Sequence, residues 1–247
     1  MSQCNMMLKV HSYESLGTYD GPGIRLVVFL QGCPFRCLYC ANPDTISFDG
    51  GTATEPEEII ERAVREQPFF GKRGGVTFSG GEPTAQASAL LPVVRALKGK
   101  GIHVCLDTNG GIWNQDVEEL FSTADLALLD IKEFNPERHR HITGRDNART
   151  LETARWLEDH GKPFWIRYVL VPGLSDFEED IRALGEHFKD FKMIQRVELL
   201  PYHTLGKHKY ETLGWKYELE GTPLNTPEQL AKAKSVLQEY FDCVIQN

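Results

Sequence analysis

From about residue 24 onwards, short runs of β-branched and aromatic residues alternate with longer stretches whose apolar residues recur at helical spacing. Strands are expected for IRLVVFL (24–30), GVTFS (75–79), HVCLDT (103–108), DLALLDIK (125–132), FWIRYVLV (164–171) and QRVELL (195–200). Between the first two, EPEEIIERAVRE sets Ile59, Ile60, Ala63 and Val64 on one helical face. Thr54 is its expected N-cap, Glu57 the capping-box partner three residues on, and Pro56 falls in the tolerant first turn. Further helices are expected at 84–98, 115–122, 147–160, 177–188 and 226–240.

Strand and helix in alternation imply parallel strands joined by right-handed crossovers, in an open doubly wound sheet or a barrel. With no repeat, linker or low-complexity stretch, residues 1–247 read as a single domain. Asp107, Asp130, Lys132 and Arg167 fall at or near the C-terminal ends of predicted strands, where loops build sites in both architectures. The first strand runs into a cysteine segment instead of a glycine-rich phosphate turn, which counts against a dinucleotide fold.

Composition narrows the class. The longest purely apolar run, Leu26 to Leu30, is too short to span a bilayer, and MSQCNMMLKVHSYES has none of the features of a secretion signal, so a cytoplasmic protein with no membrane partner is expected. A net charge of −8, with no Lys/Arg run interleaved with aromatics, argues against nucleic acid as a partner.

Three of the six cysteines, Cys33, Cys37 and Cys40, lie within eight residues, while Cys4, Cys105 and Cys243 are scattered. In a reducing compartment such a cluster reads as metal-binding. The loop at 31–42 carries them in QGCPFRCLYCANPD, a C-x3-C-x2-C spacing with Tyr39 before the last cysteine. A cubane iron–sulfur cluster needs four ligands, so three thiolates leave one iron open, the mark of a catalytic rather than a structural metal. Three alternatives stand beside it: a zinc site completed by His11, an electron-transfer cluster that recruits Cys105, Cys4 or Cys243, and a non-catalytic metal-binding interaction protein. Cys105 itself reads by default as a core thiol.

Other residues have two readings each. Gly80 and Gly81 let backbone approach a ligand, or simply turn the chain. Asp130 and Lys132 share strand parity with Leu126 and Leu128, so they form either an ion pair or part of an interior site. Asp107 and Thr108 offer hard oxygens or an ordinary capping turn.

The cysteine spacing with its aromatic residue resembles the radical S-adenosylmethionine superfamily. DGPGIR (20–25), SGGEP (79–83), LDTNG (106–110), LLDIK (128–132), WIRYVLVPGLSD (165–176) and LLPYHTLGKHKYE (199–211) extend the likeness to the activating enzymes of glycyl radical enzymes, those of pyruvate formate-lyase above all. The resemblance implies a partial (β/α)6 TIM-like barrel and one 4Fe-4S cluster on Cys33, Cys37 and Cys40. S-adenosylmethionine is cleaved there to methionine and a 5′-deoxyadenosyl radical, which takes a hydrogen atom from a partner's glycine. It assigns Tyr39, Cys40, Ala41, Asn42, Gly80, Gly81, Glu82, Asp130, Ile131, Lys132, Arg167 and His203 to S-adenosylmethionine. Glu82 would hold the amino group, Lys132 the carboxylate, Arg167 a carboxylate or the ribose region, and His203 the adenosine end. It places a monovalent cation on Asp107, Thr108, the Leu128 carbonyl and Asp130.

The implied partners are the glycine-bearing loop of pyruvate formate-lyase and a flavodoxin-type electron donor, with the chain a monomer. A different glycyl radical enzyme is the alternative target. Relatives often have His where this chain has Ala41, and residues 41–75 lack the extra cysteines of auxiliary clusters. A groove over the strand C-termini near Asp20 to Arg25 is expected to receive the glycine loop.

Overall fold

The computed structural model describes residues 6–246, so Cys4 lies outside the described residues. The chain divides into two compact units, residues 1–34 with 45–128 and residues 35–44 with 129–247.

The first unit holds β1 (Leu8–Gly17), β2 (Arg25–Leu30), β3 (Thr52–Thr54), α1 (Pro56–Glu66), β4 (Gly75–Gly80), α2 (Ala87–Gly99), β5 (His103–Thr108) and α3 (Gln115–Thr123). Strands β2, β4 and β5 are parallel, with Arg25 opposite Gly75 and Leu30 opposite Gly80. β1 runs antiparallel to both β2 and β3. Buried Leu26, Val27, Val28, Val76, Phe78, Val104 and Leu106 make the strands a continuous apolar layer, as a parallel sheet covered by helices requires.

α1 buries Ile59 and Ala63 as its periodicity predicts, but Val64 is exposed. Its N-cap is Glu55, which makes no side-chain cap, and not Thr54. Pairing with Leu8 of β1 holds Thr54 in β3, where its hydroxyl donates to the Thr52 carbonyl. Strand pairing therefore takes the residue that the expected capping box would use.

β6 (Leu126–Asp130) crosses the boundary between the units and ends two residues short of Lys132. The second unit continues with α4 (Pro136–Thr143), α5 (Ala148–Asp159), β7 (Phe164–Leu170), α6 (Glu178–Phe188), β8 (Ile194–Pro201), α7 (Lys207–Thr212), α8 (Pro227–Gln238) and β9 (Cys243–Ile245). β7, β8 and β9 are parallel. Tyr39, Ile142, Val171, Tyr202, Tyr210, Tyr217 and Leu219 form an aromatic core in this unit, in which the hydroxyls of Tyr202 and Tyr217 meet at 2.6 Å.

α4 lacks an apolar stripe and is set by its ends: Asn135 accepts from the Glu137 and Arg138 N–H groups, and Gly144 at φ 77° closes the helix. Among the described residues no helix is long and apolar enough to cross a membrane.

Candidate functional site

In the first unit, the root of the cysteine loop is clamped by backbone. Gly32 N donates to Thr45 O at 2.8 Å, Cys33 N to Ile46 O at 3.1 Å, Gly81 N to Leu30 O at 2.8 Å and Glu82 N to Gly32 O at 2.8 Å. Gly80 has φ 101°, and a Cβ there would lie 2.5 Å from Leu30 N; one on Gly81 would lie 2.3 Å from Gly32 O. Close approach of protein backbone thus accounts for the glycine pair by itself: the turn leaving β4 presses on the turn leaving β2.

Glu82 is fully buried, and its carboxylate is bonded within the protein. Oε1 accepts from Thr84 N (3.0 Å), Thr84 Oγ1 (2.7 Å) and Thr108 Oγ1 (2.7 Å), and Oε2 accepts from Asn109 N (2.7 Å). Burial raises its carboxyl above the ordinary range, against the pull of those hydrogen bonds. Its side chain ties the loop after β4 to the loop after β5.

Asp107 Oδ2 accepts from Ser79 Oγ at 2.6 Å, and the Thr108 hydroxyl, which donates to Glu82, accepts from Gly110 N at 3.0 Å. Asn109, which the motif reading left without a role, directs Nδ2 at the Cys33 sulfur at 3.6 Å. Its only sequence signal is a place inside LDTNG.

Asp20 to Arg25 do not flank the strand C-termini. Arg25 opens β2, and its buried guanidinium donates to Val76 O (2.6 Å) and Thr77 Oγ1 (2.5 Å) at the start of β4 and to Pro22 O (3.0 Å) just before β2. Thr77 Oγ1 in turn donates to Asp20 O at 2.6 Å. The segment is a brace at the amino ends of the strands, which corrects the expected groove over their carboxyl ends.

In the second unit, α4 holds the other two motif cysteines: Arg36 N donates to Thr143 O at 2.8 Å and Leu38 N to Ile142 O at 2.9 Å. Cys40 N donates to Cys37 O at 3.1 Å. Burial pushes the Cys37 thiol up to about 12, with Lys132 opposing and Cys40 and Asp130 adding; burial raises Cys40 as well. Lys132 Nζ pairs with Asp130 Oδ2 at 2.8 Å, both side chains largely buried, and lies 6.0 Å from the centre of the Tyr39 ring. Burial pulls the Lys132 ammonium down, but Asp130, Tyr39 and Cys37 outweigh it and hold the group well above the usual lysine range. The residue is charged.

Around the loop's exit, Lys209 Nζ reaches Asn42 Oδ1 (2.9 Å) and Asp44 Oδ1 (3.1 Å), and a Cβ on Gly206 would lie 2.7 Å from Ala41 O. The chain entering α7 therefore lies directly on Ala41. His203 is exposed, its Nδ1 accepting from Leu205 N at 3.4 Å. Arg167 stands mid-strand in β7, not at its end, paired with Glu198 at 3.5 Å and bonded to Gln246 Oε1 at 3.2 Å. Its carbonyl accepts from Ile131 N at 3.0 Å.

The donor set fits an iron–sulfur cluster with three thiolate ligands. Cys33, Cys37 and Cys40 form no disulfide and are partly exposed, and an amide N–H addresses one of the sulfurs. Cys105 is buried at the level of Thr77, three residues back along the sheet from the Gly80 level at which the cysteine loop departs, so it is not placed to join Cys33. Among the described residues no three His, Cys, Asp or Glu side chains gather around a single-ion position.

A family model described as the radical SAM superfamily matches residues 27–185. The pyruvate formate-lyase-activating enzyme of Streptococcus mutans is 48% identical over 236 residues, covering 92% of this chain and 90% of its own length. The pyruvate formate-lyase 1-activating enzyme of Escherichia coli K12 is 44% identical over 235 residues, covering 94% and 96%. Among solved structures, a domain of pyruvate-formate lyase-activating enzyme from Bacteroides vulgatus superposes with a TM-score of 0.60 at 24% identity, over 70% of this chain and 99% of that one. QueE from Escherichia coli gives 0.55 at 18% identity, over 85% and 92%. At these identities the structural likenesses show the fold alone, the α/β partial barrel expected from the motifs.

Proposed function

The chain belongs to the radical S-adenosylmethionine superfamily, and from that premise we propose that it activates pyruvate formate-lyase by removing a hydrogen atom from one glycine of that enzyme. The observation that carries the reading is the 48% identity to the Streptococcus mutans activating enzyme across about nine-tenths of both chains. When bound, the 4Fe-4S cluster supplies the electron that cleaves S-adenosylmethionine to methionine and the 5′-deoxyadenosyl radical that takes the glycine hydrogen.

The protein's part is to hold, orient and exclude water. Cys33, Cys37 and Cys40 would hold the cluster through three thiolates, which would leave one ligand position for S-adenosylmethionine. We assign Lys132 to its carboxylate: the ammonium is charged, largely buried and already faces one carboxylate, that of Asp130. The backbone at Gly80 and Gly81 is assigned to its amino end on the likeness of the SGGE segment to the family's motif. Tyr39, Ala41, Asn42, Ile131, Arg167 and His203 complete the assignment, with His203 at the surface assigned to adenosine. Asp107, Thr108, the Leu128 carbonyl and Asp130 are our seat for a monovalent cation, for which Asp130 would exchange part of its contact with Lys132.

The electron donor is of flavodoxin type, and the chain works as a cytoplasmic monomer on the glycine-bearing loop of its partner. Anaerobic reconstitution followed by iron and acid-labile sulfide analysis tests the metal. Four irons and four sulfides per chain are expected, and zinc without sulfide would reject the enzyme. Adding reductant and S-adenosylmethionine should then yield methionine and 5′-deoxyadenosine, and Cys37→Ala should yield neither.

A further inference from the structure

Asn109 lies outside the residues assigned above, yet its amide meets a motif sulfur, Nδ2 to Cys33 Sγ at 3.6 Å. The protein fixes which end of that amide faces the sulfur. Oδ1 accepts from Gly111 N at 2.9 Å, so the oxygen is committed and the N–H group must point to Cys33. The backbone is equally constrained: Asn109 N donates to the buried Glu82 carboxylate at 2.7 Å, and the neighbouring Thr108 hydroxyl ties to the same carboxylate and to Gly110 N. Asn109 is only 5% exposed, so its amide is largely shielded from water. Cys33 is held from its own side, with its N–H on Ile46 O at 3.1 Å. Two anchored turns thus set donor and sulfur against each other.

We propose that Asn109 tunes the cluster, its Nδ2–H donating to the Cys33 thiolate and raising the reduction potential so that a biological one-electron donor can reduce it. The inference rests on the reading of Cys33 as a cluster ligand. Reduction adds one negative charge that is shared onto the sulfurs, so a donor dipole aimed at sulfur stabilises the reduced form more than the oxidised one. Burial of the amide strengthens the effect, because solvent screens the donor little. Asn109 touches neither S-adenosylmethionine nor the glycine in this scheme; it is a positioning residue that acts through Cys33.

The test is a dithionite titration of the reconstituted protein, followed by electron paramagnetic resonance, without S-adenosylmethionine or partner. Asn109→Asp keeps an acceptor for Gly111 N and removes the donor, and Asn109→Ala removes both without adding charge. Each variant is expected to hold as much iron and sulfide as the wild type. At the potential where the wild type is half reduced, the reduced-to-oxidised ratio of each variant should fall about tenfold, or about 59 mV for a one-electron couple. Midpoints equal to that of the wild type in fully loaded variants would overturn the proposal. Should the variants fail to load, resonance Raman spectra of the wild type in H2O and D2O decide it: an exchange-sensitive iron–thiolate band supports the contact, and insensitive bands overturn it. A wild-type chain that takes up no cluster would instead reject the proposed function itself, and this inference with it.

Discussion

Four donors converge on the buried Glu82 carboxylate, so truncation to Ala strands them without solvent. Glu82→Ala should lower stability by about 3 kcal/mol or more, read as a drop in the denaturant midpoint of the cluster-free protein; a change near zero would show that the loops hold without it. The motif cysteines make a second residue-scale prediction. Burial holds the Cys37 thiol up to about 12, and a ligand must shed its proton, so cluster uptake releases protons and weakens as pH falls. Iron bound at limiting supply should be lower at about pH 6.5 than at about pH 8.5, and no difference would mean the thiolates preform. The three cysteines stand out in the sequence because ligand chemistry needs few residue types at short spacing. Glu82 and Asn109 do not, since what a carboxylate or amide does depends on neighbours 26 to 76 positions away.

At the scale of elements, the turn leaving β4 is built for glycine twice over, by the positive φ of Gly80 and by the approach of Leu30 and Gly32 backbone. Gly80→Ala should cost about 2–4 kcal/mol and reduce cluster loading, because it displaces the root of the cysteine loop; unaltered iron content and unfolding midpoint would contradict this. Between β6 and α4, Glu133 accepts from Phe134 N and Asn135 N, while Tyr168 has one proton for two acceptors, Glu133 Oε2 (3.1 Å) and Ser175 O (2.9 Å). A protonated Glu133 resolves the conflict by donating to Tyr168, in keeping with burial lifting its carboxyl to about 7. The folded value exceeds the unfolded one, so the stability it contributes is complete below the ordinary carboxyl range and is lost as pH rises through about 7. The stability of Glu133→Gln relative to the wild type should therefore rise between about pH 5 and pH 8, by on the order of 1–3 kcal/mol; denaturant midpoints of both proteins at both pH values check it. Strongly periodic elements were legible to within three residues at each end, the largest offset being the start of α2, expected at 84 and observed at Ala87. α4 was not, because Ile142 is its only aliphatic residue and its ends, not a stripe, define it.

At the scale of the molecule, the parallel strands and their helices follow from alternation of pattern, whereas β1, β3 and β9 did not announce themselves. β1 exposes most of its middle residues, and β3 and β9 have three residues each, too few for a period to register. The pairing of β3 with β1 displaced the α1 cap, and the direction of β2 put DGPGIR at the amino ends of the strands. The most direct measurement of the central claim is electron paramagnetic resonance of pyruvate formate-lyase after anaerobic incubation with the reconstituted chain, reductant and S-adenosylmethionine. A glycyl radical that appears only with all components, and not with Cys33→Ala, Cys37→Ala or Cys40→Ala, is the predicted result. Full cluster loading with no glycyl radical and intact S-adenosylmethionine would contradict it.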